Sequence, residues 1–175
     1  MAFDEVVHGA FEDFEPVDAS RGRFTRAAAQ GAFEYRKRVV VPAAGNQLQI
    51  AFMEIPPGKS AYPYHWHEGV TESYVILSGS GLVRTPGGEF AVGSGDVVAF
   101  PPGPAGAHRM TNTGAEPLRY VDIDSTSDPD VFHYPDSGKT GTISRFDAGL
   151  TFDAARTGYY EGEPDADLRE SPPSS

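Results

Sequence analysis

The chain holds five histidines, and three of them stand where they could act together. In Tyr64-His65-Trp66-His67 one residue separates two histidines. Residues two apart on a strand point to the same face, so His65 and His67 present two imidazoles side by side. After four intervening residues Glu72 opens a strand-like run in which Glu72, Tyr74 and Ile76 share a face. If the two strands are neighbours, Glu72 faces the histidine pair. His108 lies on a later strand that closure of a barrel can bring across. Three imidazoles and one carboxylate form a nitrogen and oxygen site suited to one divalent transition metal: Mn, Fe, Ni, Cu or Zn. A His-x-His pair alone is weak, because surface strands carry such pairs by chance. Here the pair, Glu72 and His108 sit in two glycine-framed segments, whereas His8 and His133 have no such frame and read as surface residues.

Four protein ligands on an octahedral ion leave two open positions, enough for a bidentate oxygen substrate or for a substrate and dioxygen. Tyr74 and Met110 share strand parity with Glu72 and His108, so they are the candidates to line a substrate cavity. Trp66 has the opposite parity to the histidine pair and is expected to point outward into packing. No further acid or base stands out, so no catalytic residue is assigned.

These side chains need strands to hold them, and the chain from Phe33 onward reads as strands. Phe33 to Val41 and Gln47 to Ile55 flank the turn Pro42-Ala43-Ala44-Gly45-Asn46. In the second segment Leu48, Ile50, Phe52 and, less cleanly, Glu54 alternate with Gln47, Gln49, Ala51 and Met53, which marks a half-buried strand. Short strand-like runs follow at 64–67, 72–77, 81–85, 89–92, 96–100, 107–112 and 118–123, each bounded by Gly, Pro, Ser or Asn. Strands of this length at near-regular spacing indicate a sandwich, jelly roll or barrel. The expected organisation is an irregular N-terminal arm over 1–30, a β-barrel over 31–125, an extended segment packing on the barrel over 126–160, and an acidic, disordered tail over 161–175.

Composition narrows the function classes. The net charge of −11 repels phosphate backbones and anionic bilayers, so neither nucleic acid nor membrane is expected as a partner. The chain has no cysteine, so disulfides and thiolate ligands are excluded. No apolar run is long enough to span a membrane, and Met1 to Ala10 has no apolar core of a signal peptide. A cytoplasmic location is the expectation.

The sequence resembles the cupin superfamily in two segments. The first is Gly58, six residues, His65-Trp66-His67, four residues, Glu72, six residues, Gly79. The second is Gly95, five residues, Pro101-Pro102-Gly103, four residues, His108, three residues, Asn112. Against the family pattern there is one extra residue before His65 and two before His108, both in loop where added length is tolerated. The resemblance implies a double-stranded β-helix, or jelly-roll barrel, with metal ligands at His65, His67, Glu72 and His108. Gly79 and Gly95 would serve turns that need positive φ, and Asn112 would tie a turn. His65-Trp66-His67 and Tyr134-Pro135-Asp136-Ser137-Gly138-Lys139 look like a bacterial group of short one-domain cupins, some labelled sugar-phosphate isomerase-like; that likeness extends to about residue 140 and implies a homodimer.

Three readings of function follow. The first is a metal-dependent enzyme acting on a small oxygen-rich molecule, of dioxygenase, decarboxylase or sugar isomerase type. The second is a barrel that binds or senses a small molecule without converting it. The third, ranked last, is a metal that only staples the fold.

Overall fold

A computed structural model describes residues 25–144 and 147–152. Turn residues punctuate this stretch into thirteen strands: β1 (Thr25–Gln30), β2 (Phe33–Val41), β3 (Leu48–Ile55), β4 (Trp66–His67), β5 (Glu72–Ser78), β6 (Ser80–Thr85), β7 (Gly88–Gly93), β8 (Val97–Phe100), β9 (Arg109–Asn112), β10 (Leu118–Ser125), β11 (Asp130–Tyr134), β12 (Lys139–Ser144) and β13 (Asp147–Phe152). Among the described residues the sole helical piece is a 3-10 turn at Pro104–Gly106. No helix there is long and apolar enough to cross a membrane.

One sheet has the order β1-β2-β3-β10-β5-β8. Facing it are a three-stranded sheet, β7-β6-β9, and a four-stranded sheet, β13-β12-β11-β4. The last two meet at an antiparallel bridge between His65 and His108, whose backbones exchange hydrogen bonds of 3.1 and 2.9 Å. The result is an all-β jelly-roll barrel, one of the architectures the strand pattern allowed and the one the family resemblance implied.

The turns need the residues they have. Gly79, between β5 and β6, has φ 85°, and a Cβ there would lie 2.7 Å from the carbonyl oxygen of Pro117. Asn112 donates from Nδ2 to the carbonyls of Ile55 and Glu116, both at 2.8 Å, and its Oδ1 accepts from Gly114 N at 2.9 Å. It is buried and all three groups are satisfied, so it holds the loop after β9 against the end of β3.

The barrel interior changes character along the strands. At one end Ile55, Ile76, Val83, Leu118 and Met53 are fully buried and form the apolar core, each contributing about 1.5–3 kcal/mol by burial. Towards the other end the same inward faces turn polar: Gln49 on β3, Glu72 on β5, and Asp122 then Asp124 on β10. The registers Ile55↔Leu118, Gln49↔Asp124 and Asp124↔Glu72 place these polar residues in one belt.

Two expectations are revised. On β3 the buried face carries Ala51, Met53 and Ile55, all at 0% exposure, while Leu48 is exposed and Ile50 and Phe52 are half-buried on the outside. The polar belt explains this: near the site the interior is not the apolar side, so alternation of apolar residues does not mark the inside. Glu54 lies on the opposite face from Met53 and Ile55 and is itself buried, between Arg36 at 3.4 Å and Arg119 at 2.8 Å. Residues 126–144, expected as part of an extended segment packing on the barrel over 126–160, form strands that are themselves wall. Of these, β11 is hydrogen-bonded to β4, with Phe132 opposite His67 and His133 opposite Trp66. The N-terminal arm up to residue 24, and the acidic tail, lie outside the described residues.

Candidate metal centre

Three sheets converge on one carboxylate oxygen. Glu72 Oε2 lies 3.6 Å from His65 Nε2, 3.5 Å from His67 Nε2 and 3.3 Å from His108 Nε2. His65, His67 and Glu72 each place a ligand atom within 4.8 Å of the others, a spacing that could hold a metal ion. The positions follow from strand geometry. His65, the bridge residue just before β4, and His67 at its end share a face, β5 sets Glu72, and the bridge to His65 brings His108 to them. All four residues predicted from sequence as ligands are thus together.

The second nitrogen of each ring is engaged. His65 Nδ1 donates to the carbonyl of Pro63 at 2.8 Å, and His108 Nδ1 donates to the carbonyl of Gly106 at 2.9 Å. His67 Nδ1 donates to Asp130 Oδ2 at 2.7 Å. Carbonyls and carboxylates only accept, so each Nδ1 carries a proton, and Nε2 is the ring nitrogen on the Glu72 side. His108 Nε2 in turn accepts a 3.0 Å hydrogen bond from the Tyr74 hydroxyl.

Electrostatics reinforce this. Burial, with the neighbouring His67, pushes the His65 pKa down to about 4; burial, with His65, pushes that of His108 down to about 3. Both are neutral at pH 7. For His67 burial also disfavours the cation, but the Asp130 hydrogen bond and the charge of Glu72 outweigh it, and its pKa is raised. Burial lifts Glu72 to about 7, against the pull of His67. Tyr74 is held well above the phenol range, by burial first and then by Glu72, so it stays protonated.

Behind the histidines lies a small cavity lined by Tyr62, His65, Tyr74, His108, Met110 and Tyr120, among others. It leaves about 10 Å³ for the centre of a water molecule, which is room for roughly one. Tyr74 and Met110, the sequence candidates for substrate contact, both line it. A larger apolar groove of about 430 Å³ runs past Phe90, Val98, Phe100 and Pro101, and none of the four clustered residues lines it. Phe100 separates the two spaces by stacking on His108 at 3.6 Å.

Beside Glu72 stands a second acidic group. Glu72, Asp122 and Asp124 have carboxylate oxygens within 4.8 Å of one another. Lys37 on β2 compensates, with its Nζ 2.7 Å from Asp122 Oδ2 and both side chains nearly buried. Asp124 is driven up to about 9 by burial and by Asp122 and Glu72, so it carries a proton at neutral pH.

Trp66 and His133 are register partners on the face opposite His67. Their rings stack at 4.0 Å, and His133 is bonded to Glu68 and Thr140. Sequence reasoning missed Asp130. Its sole signal was parity: Asp130, Phe132 and Tyr134 share a face of β11, and that parity turns Asp130 toward His67.

Comparison with known proteins agrees with this fold. The family model described as "Cupin domain" matches residues 51–124. The oxalate-binding protein of Thermotoga maritima is 36% identical over 95 residues, which is 54% of this chain and 76% of that protein. A predicted oxalate decarboxylase from Thermotoga maritima superposes with a TM-score of 0.54 at 25% identity, over 70% of this chain and all of the other. A sugar phosphate isomerase of the cupin superfamily from Silicibacter pomeroyi has the same fold, with a TM-score of 0.66 at 18% identity over 77% of this chain and 89% of the other. The chain belongs to the cupin family.

Proposed function

We propose that the chain binds one divalent transition-metal ion through His65, His67, Glu72 and His108, and that it uses the ion to hold a small oxygen-rich ligand. The observation that carries this reading is the approach of three imidazole Nε2 atoms to one Glu72 oxygen, at 3.3–3.6 Å, with every Nδ1 already committed elsewhere. The donor set fits such an ion: neutral imidazoles and a carboxylate suit Mn, Fe, Ni, Cu or Zn. When bound, the ion would supply Lewis acidity towards ligand oxygens, and redox capacity if it is Fe, Mn or Cu.

This chain's residues do the remainder. The Nδ1 partners fix the ring tautomers. Glu72 supplies the negative charge, and Tyr74 presents a phenol that stays protonated. Oxalate is the first ligand to test, because the Thermotoga maritima relative is an oxalate-binding protein and because two adjacent carboxylates offer a bidentate oxygen pair. Calorimetric titration of oxalate into zinc-loaded and chelator-treated protein tests this. Binding to the loaded form alone is expected; equal binding to both, or to neither, would contradict it.

A second reading is conversion of the ligand. It is favoured by the Tyr74 hydroxyl 3.0 Å from His108 Nε2, a proton donor beside the proposed centre. Consumption of oxalate by protein loaded with Mn, Fe or Cu, lost in Tyr74→Phe with metal retained, would support conversion over simple binding.

A further inference from the structure

We propose that the turn between β11 and β12 is a strap across the mouth of the metal centre, that Tyr134 is its face towards the ligand, and that Arg84 and Asp136 are positioning residues that latch it. This rests on the reading of His65 as a metal-site residue given above.

The strap is short and internally braced. Ser137 N and Gly138 N both donate to the Tyr134 carbonyl, at 3.1 and 2.9 Å, so Tyr134 and Asp136 move as one unit. Gly138, at φ 69°, closes the turn. At one end the Tyr134 ring lies 5.9 Å from that of His65 with 26° between their planes, and it packs edge-on against Phe132 at 5.6 Å. At the other end Asp136 takes both arms of the Arg84 guanidinium, at 2.6 and 2.9 Å.

Arg84 is on β6 and Tyr134 ends β11, in sheets that share no strand pair. The ion pair therefore fastens one sheet to the other across the mouth. Three features make it more than an incidental surface pair. Its geometry is bidentate, which fixes direction as well as distance. The guanidinium lies 4.0 Å over the ring of Tyr64, the residue before His65. Arg84 pairs with Arg109, next to His108, on β9 and with Glu89 on β7, and Asp136 lies near enough to feel both arginines. Both ends of the latch thus reach residues flanking the proposed ligands, although Arg84 and Asp136 themselves are part-exposed. A part-exposed pair is weak enough to open for a ligand and close again.

The test uses the whole chain. In metal-free protein, the imidazole ring protons of the five histidines are followed by NMR in the native chain and in Tyr134→Leu, Tyr134→Phe, Arg84→Ala, Asp136→Ala and the Arg84→Ala/Asp136→Ala double variant. Tyr134→Leu is expected to shift the His65 signals, and Tyr134→Phe to leave them near native because the ring remains. Arg84→Ala and Asp136→Ala should each reproduce at least half of the leucine shift. The double variant should go no further than either single one, while His108, stacked on Phe100, stays put. His65 signals that ignore Tyr134→Leu, or that respond to it but not to the latch variants, would overturn the proposal.

Zinc-loaded samples then read the strap as a cover. Release of Zn to excess chelator should be about three- to tenfold faster in the latch variants, with one Zn per chain retained at equilibrium. Equal release rates would overturn the covering role. If the native chain takes up no Zn, the metal reading fails, and the His65 signals still decide whether the latch positions Tyr134.

Discussion

Asp130 Oδ2 accepts the Nδ1 proton of His67 at 2.7 Å, across 63 residues of sequence. The contact ties the strand that carries the histidine pair to the strand that completes the wall behind it. It also sets which His67 nitrogen faces Glu72, and it raises the basicity of that ring. Asp130 is buried, so its removal leaves His67 free to turn and to change tautomer.

Asp130→Asn should therefore weaken zinc affinity by about 10- to 100-fold without unfolding the barrel. Competition with a coloured chelator measures it. Native affinity in the variant would show that the carboxylate does not tune the site.

The pH dependence of metal uptake follows from the same groups. His65 and His108, at about 4 and about 3, are already neutral above pH 5 and contribute no proton release there. Glu72, raised to about 7, is the group that must lose a proton, joined by His67, whose pKa is also raised. A larger fraction of each is protonated as pH falls, so metal competes less well. Zinc affinity should climb from pH 5.5 to about 7.5, with proton release in calorimetry, and level off above pH 8. A flat profile between pH 5.5 and 7.5 would contradict the ligand assignment of Glu72.

Lys37 and Asp122 stand or fall together. Lys37→Met leaves Asp122 buried without its cation and should cost about 3–5 kcal/mol in urea unfolding of the metal-free protein. Pairing it with Asp122→Asn should recover a large part of that loss. A single variant as stable as the native chain would show that other groups balance the acidic belt.

Gly106 bears directly on His108. Its carbonyl accepts from His108 Nδ1, and an added Cβ would overlap the carbonyl oxygen of Pro101. The 3-10 turn would have to move, and His108 with it. Gly106→Ala should lower stability by about 1–3 kcal/mol and weaken metal uptake. Retention of both would show that the turn has slack.

Much of the site was legible from sequence because its clustered residues are local or framed. His65 and His67 are two apart, Glu72 opens the next strand, and glycines and prolines mark the approach to His108. What escaped has long reach. Asp130 meets His67 only because a two-residue strand, β4, accepts β11 as a neighbour, and two residues give no periodicity to read. The inverted face of β3 escaped for another reason. Gln49 lies inward in a polar belt, while Ile50 and Phe52 lie outward, so the rule that apolar means inside fails where the barrel interior turns polar. The Arg84–Asp136 latch joins residues 52 apart, which no spacing rule connects.

Elemental analysis of protein purified without added metal, beside His65→Ala and His108→Ala, tests the central claim most directly. About one Mn, Fe, Ni, Cu or Zn per native chain is expected, with little in either variant. A native chain that stays empty even after reconstitution, or variants that keep the full complement, would contradict the four-ligand centre.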